Sequence, residues 1–257
     1  MENIFIITNF WIFLEEFQAS NFEKPTYISF SKDYCKNFSK EDIDDLKKTI
    51  SNIIGNYILL DEKDVFKMNF NKVYMSSGTP LYGEGIYKQE LKCKEYIFVE
   101  DGGYDYSSTQ ITSLVEIRKK STIFVFDKMK FKMSKYYKET KELDIEVSIN
   151  IIKENIEDDI FNLDKKLPIL FTAPIEVQNI EKIEKTILSF DKIIIKQHPR
   201  DSRNFKIFEK YTNVVICKKI IPGQILDVLF NGEKFYEYSN ATICIEKDQL
   251  EKIRKGQ

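Results

Sequence analysis

Residues 192–200 read K-I-I-I-K-Q-H-P-R, and this stretch limits the fold more than any other in the chain. Three consecutive isoleucines suit a strand buried on both faces, as in a parallel sheet covered by helices. The strand runs directly into Lys196, His198, Pro199 and Arg200, and His198 is the only histidine present. Pro199 fixes its own φ and pushes His198 away from helical geometry. One imidazole is therefore expected at a strand end, on a stiff turn, between two cations. Ligands of open α/β sheets bind outside the carboxyl ends of the strands. Cations there suit a phosphate or carboxylate, and an imidazole moves protons near neutral pH.

The same alternation recurs along the chain. A strand over 3–8 leads into a helix over 10–19, and 25–30 reads as a second strand. Ser39 with Asp42 marks a helix start, with Ile43, Leu46, Ile50 and Ile53 or Ile54 on one face. Further strands are expected at 72–75, 96–99, 121–126, 168–172, 192–195, 214–217 and 235–246. Helices are expected at 87–94, 113–119, 177–190, 205–211 and 222–230. Residues 127–167 are mostly polar and are read as the crossover between halves. The expectation is two Rossmann-like βα domains, 1–150 and a shorter 151–257, with parallel sheets facing a central cleft.

Composition removes several classes. The 257 residues are 42% apolar, enough for a core, and carry a formal net charge of −2 with the signs interspersed. A dedicated nucleic-acid binder should instead carry a basic face. Cys35, Cys93, Cys217 and Cys244 show no C-x-x-C spacing, and a single histidine does not complete a usual zinc set. They read as free thiols of a reducing compartment. The apolar N-terminus is interrupted by Thr8 and Asn9 and meets Glu15-Glu16 too soon to span a bilayer. A cytoplasmic protein is expected. Phosphate-binding G-x-x-x-x-G-K-[ST], dinucleotide G-x-G-x-x-G and hydrolase G-x-S-x-G patterns are all absent from the sequence.

Four more constellations carry chemistry-bearing residues. Glu100-Asp101-Gly102-Gly103 follows an apolar strand; a carboxylate there reaches the ligand crevice, although E-D-G also serves as an ordinary solvated turn. Thr172-Ala173-Pro174 stands at another strand end, where a hydroxyl and backbone N–H groups meet an anion or simply form a turn. Ile221-Pro222-Gly223-Gln224 opens a helix, either as an anion or ribose site or as a plain cap. Tyr238-Ser239-Asn240-Ala241-Thr242 offers small hydroxyl residues, or merely a polar break in the last strand.

E-D-G in the first half, K-x-H-P-R in the second, then I-P-x-x-I-L and Y-S-x-A-T resemble the bacterial sialyltransferases of GT-B type. Among these the chain is most similar to glycosyltransferase family 52, the lipooligosaccharide sialyltransferases, and the capsular and polysialyltransferase families share the acidic and H-P motifs. The resemblance implies inverting, metal-independent transfer of sialic acid from CMP-sialic acid to a sugar hydroxyl. It implies Asp101 as general base and His198 as the residue that contacts or protonates the departing phosphate. Ser239 falls on the serine motif that holds that phosphate, with Asn240 and Thr242 beside it. Thr172 faces the donor, and the segment from Pro222 through Gly223 and Gln224 packs on the cytidine. Glu100, Gly102, Lys196, Pro199 and Arg200 complete the expected substrate contacts.

Gln224 stands where an acidic ribose ligand is usual, and Asn240 where a second hydroxyl is usual. The short second domain is read as a truncation or as a compact or dimer-completed form. No cofactor or metal is expected. The partners are the CMP-sugar and a glycan acceptor, with peripheral contact with inner-membrane glycolipid at its cytoplasmic face and a homodimer also in view. Alternatives on the same fold are transfer from CMP-Kdo or another CMP- or CDP-activated donor, and a catalytically inactive nucleotide binder.

If Asp101 is the base, Asp101→Asn retains CMP affinity and lowers turnover by about a hundredfold or more, as read by CMP release. Unchanged turnover removes Asp101 from the reaction.

Overall fold

The computed structural model of the chain describes residues 2–31, 38–78, 89–100, 114–128, 131–173, 178–198 and 208–237. They form an α/β protein with a seven-stranded and a four-stranded sheet, and every strand pairing is parallel. The chain divides into two compact units, Met1–Lys36 with Leu46–Ser148 and Asn37–Asp45 with Ile149–Gln257.

The first sheet uses β1 (Ile4–Ile7), β2 (Tyr27–Phe30), β3 (Ile58–Leu59), β4 (Phe70–Ser76), β5 (Cys93–Val99), β6 (Thr122–Val125) and β7 (Glu139–Glu142), in the order β3-β2-β1-β4-β5-β6-β7. Its interspersed helices are α1 (Phe10–Ala19), α2 (Lys40–Ile54), α3 (Glu62–Val65), α4 (Val115–Arg118) and α5 (Ile145–Asn155), although α2 and α5 each run across the division between units. Order reverses between β1 and β4, so the switch point lies at their carboxyl ends. Every residue of β1 is buried, because an interior parallel strand is covered on both faces.

Asn9 starts α1 by accepting from Ile12 N at 3.1 Å, which satisfies one of the otherwise open N–H groups of the first turn. Phe13 stacks on Phe10 at 5.9 Å and on Phe17 at 5.8 Å between ring centroids. Both Glu15 and Glu16 are also fully buried on this helix. The Glu16 carboxyl oxygens have no hydrogen-bond partner, and burial raises its pKa well above the usual carboxylate range. Helix α2 begins with a reciprocal cap: Asp42 N donates to Ser39 Oγ at 3.0 Å and Ser39 N to Asp42 Oδ2 at 2.9 Å. Its buried face is Leu46, Ile50 and Ile54.

The second sheet comprises β8 (Ile169–Phe171), β9 (Ile193–Lys196), β10 (Val214–Cys217) and β11 (Lys234–Tyr236), in the order β10-β9-β8-β11. Helix α6 (Ile180–Ile187) packs Ile183 and Ile187 against Leu170, Ile193, Ile195 and Phe208. Asn213 Nδ2 donates to the carbonyls of Ile187 and Phe190 at 2.9 and 2.7 Å, which ties the end of α6 to the start of β10. Helix α7 (Gly223–Leu229) leads into β11. Gly232 is needed for backbone approach: a Cβ there would lie 2.2 Å from the Leu167 carbonyl oxygen.

Four expectations are corrected in whole or in part. Residues 93 and 94 belong to β5 rather than to a helix over 87–94, because Cys93 pairs with Phe70 in the ladder. Of the helix expected at 205–211, Phe208 is 3₁₀-helical, residues 209 and 210 form a turn, and 205–207 lie outside the described residues. The polar stretch 127–167 holds β7 and α5: β7 is an edge strand, so its E-T-K-E sequence needs no apolar alternation. Pro222 also sits at the cap position, one residue before the helix it was expected to open.

Glu16 sets a pH signature. Its contribution to stability is complete below the unfolded-state pKa, about 4.3, and is lost as pH rises toward its raised folded value. Glu16→Gln should match the parent near pH 4 and exceed it in urea unfolding at pH 8, with the gap widening as pH rises. Parallel pH curves would show that Glu16 is ionised in the fold.

Candidate functional site

In the second sheet the carboxyl ends of β8, β9 and β11 form one edge, and the strand order reverses between β8 and β11. Thr172 leaves β8 and is buried; its N–H donates to the Lys196 carbonyl at 3.1 Å, which continues the ladder one step beyond the strand. His198 leaves β9, and its N–H donates to Thr172 Oγ1 at 3.1 Å. The structure thus brings together Thr172 and His198, two residues that the sequence places 26 positions apart. His198 is half-buried.

At the β8/β11 switch point stands Glu237, the residue after β11. Its carboxylate accepts from Ala173 N at 2.8 Å and from Asn179 N. Gln178 Nε2 donates to the Ala173 carbonyl at 2.6 Å, so both backbone polar groups of Ala173 are held. The sequence reading missed this group, because a strand drawn through 235–246 puts Glu237 in a strand interior. The signal was available: K-F-Y-E ends an apolar pair with an acid, as does the run before Glu100.

Lys196 does not reach toward that edge as a solvated cation. It is buried, its Nζ donates to the Lys219 carbonyl at 2.9 Å, and burial lowers its pKa. Cys217 lies opposite it in the ladder, and burial pushes that thiol up to about 12. Lys219 Nζ turns away to pair with Asp42 at 2.6 Å. Pro222 is buried and Gly223 and Gln224 are half-buried at the start of α7. A Cβ on Gly223 would lie 3.3 Å from the Phe171 ring, which itself stacks on Tyr236.

In the first sheet Glu100 follows β5 and is buried, and its Oε2 accepts from Phe126 N at 2.8 Å. The carboxylate fastens the end of β5 to the end of β6. Sequence reasoning also overlooked Arg118, which is fully buried. It donates to the Ser77 carbonyl at 2.7 Å and to the Tyr137 hydroxyl, with its guanidinium 4.7 Å from the Phe98 ring centroid. This cation holds the end of β4, beside the first sheet's switch point. Asp101, Gly102, Pro199, Arg200, Ser239, Asn240 and Thr242 lie outside the described residues.

No protein-family model and no curated protein sequence matches the chain. Among the described residues no group of three or more His, Cys, Asp or Glu side chains is placed to hold a metal ion. No described helix is long and apolar enough to cross a membrane.

What the edge of the second sheet holds is a hydroxyl, an imidazole-bearing residue and a pair of directed N–H groups that already grip the Glu237 carboxylate. These are the elements of a site for an anionic ligand.

The buried amine yields a stability test. A lysine whose folded pKa is lowered has its full contribution above the unfolded value, about 10.4, and loses it as pH falls toward the folded value. Lys196→Met should therefore be more stable than the parent at pH 7, with the gap closing toward pH 10.4. A destabilised variant at pH 7 would mean that the amine is charged and compensated.

Proposed function

We propose that the chain is an inverting, metal-independent glycosyltransferase that moves sialic acid from CMP-sialic acid to a sugar hydroxyl of a surface glycan. In this reading the two parallel-sheet units are the halves of a GT-B enzyme, and the second binds the donor. The single observation that carries it is the meeting of Thr172 and His198 at the carboxyl edge of the second sheet, beside its switch point. That edge is where a doubly wound sheet receives a nucleotide, and the sequence supplies K-x-H-P-R there.

The chemistry asked of the site is modest. A sialyl donor departs through an oxocarbenium-like transition state, so the enzyme must stabilise the leaving phosphate and take the proton of the attacking hydroxyl. His198 supplies charge or a proton to the phosphate, and Asp101 takes the acceptor's proton. Glu100, committed to Phe126 N, positions Asp101 rather than touching substrate. Lys196, buried against Lys219, supports the strand end rather than binding phosphate, so Arg200 is the cation assigned to the donor. Pro222, Gly223 and Gln224 take the cytidine side, and Ser239 with Asn240 and Thr242 the phosphate side.

Incubation with CMP-sialic acid and galactose-terminated acceptors, with and without a chelator, tests the reading. The expected result is glycan product and CMP release at equal rates in both, with His198→Ala losing about tenfold or more in CMP affinity and in turnover. Transfer from CMP-Kdo alone would replace the donor. Absence of transfer from any CMP- or CDP-activated donor would overturn the assignment.

A further inference from the structure

A carboxylate already occupies the place where the second sheet would receive a ligand anion. The loop that follows β8 presents two backbone N–H groups, from Ala173 at the strand end and from Asn179 just before α6, and both donate to the one Glu237 carboxylate. Two directed main-chain N–H groups are a common means of holding phosphate oxygens. Glu237 belongs to the segment on the other side of the switch point, since β11 is the strand that pairs with β8 there. Its carboxylate therefore spans the crevice from β11 to the β8 loop. Among the described residues no lysine or arginine pairs with it: Lys234, the nearest in sequence, is engaged by Asp227. Glu237 is half-buried and Asn179 exposed, so the carboxylate can leave into water without an uncompensated buried charge.

From this geometry we propose that Glu237 is a built-in anion that closes the crevice of the second sheet, and that the phosphate of an incoming ligand displaces it from the Ala173 and Asn179 N–H groups. The ligand class is a phosphomonoester or a nucleotide phosphate. A dianionic phosphate and the carboxylate repel at contact distance, so they exchange rather than share the two donors. The inference deepens the donor-site reading above and takes from it only that the phosphate belongs to CMP.

The test compares the full chain with Glu237→Gln by calorimetric titration of CMP, cytidine and inorganic phosphate. Gln retains an acceptor oxygen but removes the competing charge. CMP and phosphate should bind the variant about tenfold more tightly, while cytidine binds both proteins alike. Equal or weaker binding of CMP and phosphate by a folded variant overturns the proposal and leaves the CMP reading standing. Tighter binding of phosphate by the variant, with no cytidine-dependent gain for CMP in either protein, retains the displaced anion and removes the CMP reading. Should the variant not fold, amide NMR of the unaltered protein decides: phosphate or CMP must shift the Ala173 and Asn179 N–H signals, and signals that stay put at saturation sink the idea.

Discussion

Every pairing in both sheets is parallel, and most of the molecule follows from that constraint. A parallel strand cannot be joined to its neighbour by a tight turn, so each connection must cross back over a face. The crossing segments cover the sheet, which is why β1 and β9 are buried at every position and can be isoleucine-rich. The same geometry sends all strands of a sheet the same way, so every loop after a strand gathers at one edge. Thr172, His198 and Glu237 share that edge because each follows a strand of the second sheet. Their separation in sequence has no bearing on it.

Burial of ionisable groups divides into two kinds. Arg118 is a cation within a cage: its guanidinium lies over Phe98 and Tyr137 and donates to Ser77 and Tyr137. Glu100 accepts from Phe126 N. These side chains hold strand ends in place, and the bonds they make compensate for lost hydration. Glu16 is the other kind, a carboxyl with no hydrogen-bond partner on a helix that is apolar on nearly every side. Burial raises the pKa of such a group, since its charged form loses hydration and gains no hydrogen bond in exchange. Lys196 is intermediate, with one carbonyl for its amine and a buried thiol opposite.

The acids at strand ends show how position decides role. Glu100 and Glu237 each follow a strand, and by the strand-end rule each is a candidate to face a ligand. Glu100 closes a gap between neighbouring strands whose order runs on without reversal, β5 and β6. Glu237 spans the one place in its sheet where the order reverses. A carboxylate in the first setting completes a ladder, whereas one in the second occupies a crevice. The residue type is the same in both, and the strand order separates them.

The sequence alone carried the alternation of strands and helices, the parallel character of the sheets and the positions of α1, β9 and β10, because these rest on local signals: apolar runs, the Ser39 cap and 3.6-residue periodicity. It also put Thr172 and His198 at strand ends. It missed β7, whose edge position frees it from apolar alternation, and it drew β11 too long, which hid Glu237. It read Lys196 as a ligand cation because charge is visible in a sequence and burial is not. Only the tertiary structure decided the strand order, hence the two switch points, and which acid spans one of them. Strand order is fixed by long-range pairing between segments whose own local preferences are indistinguishable.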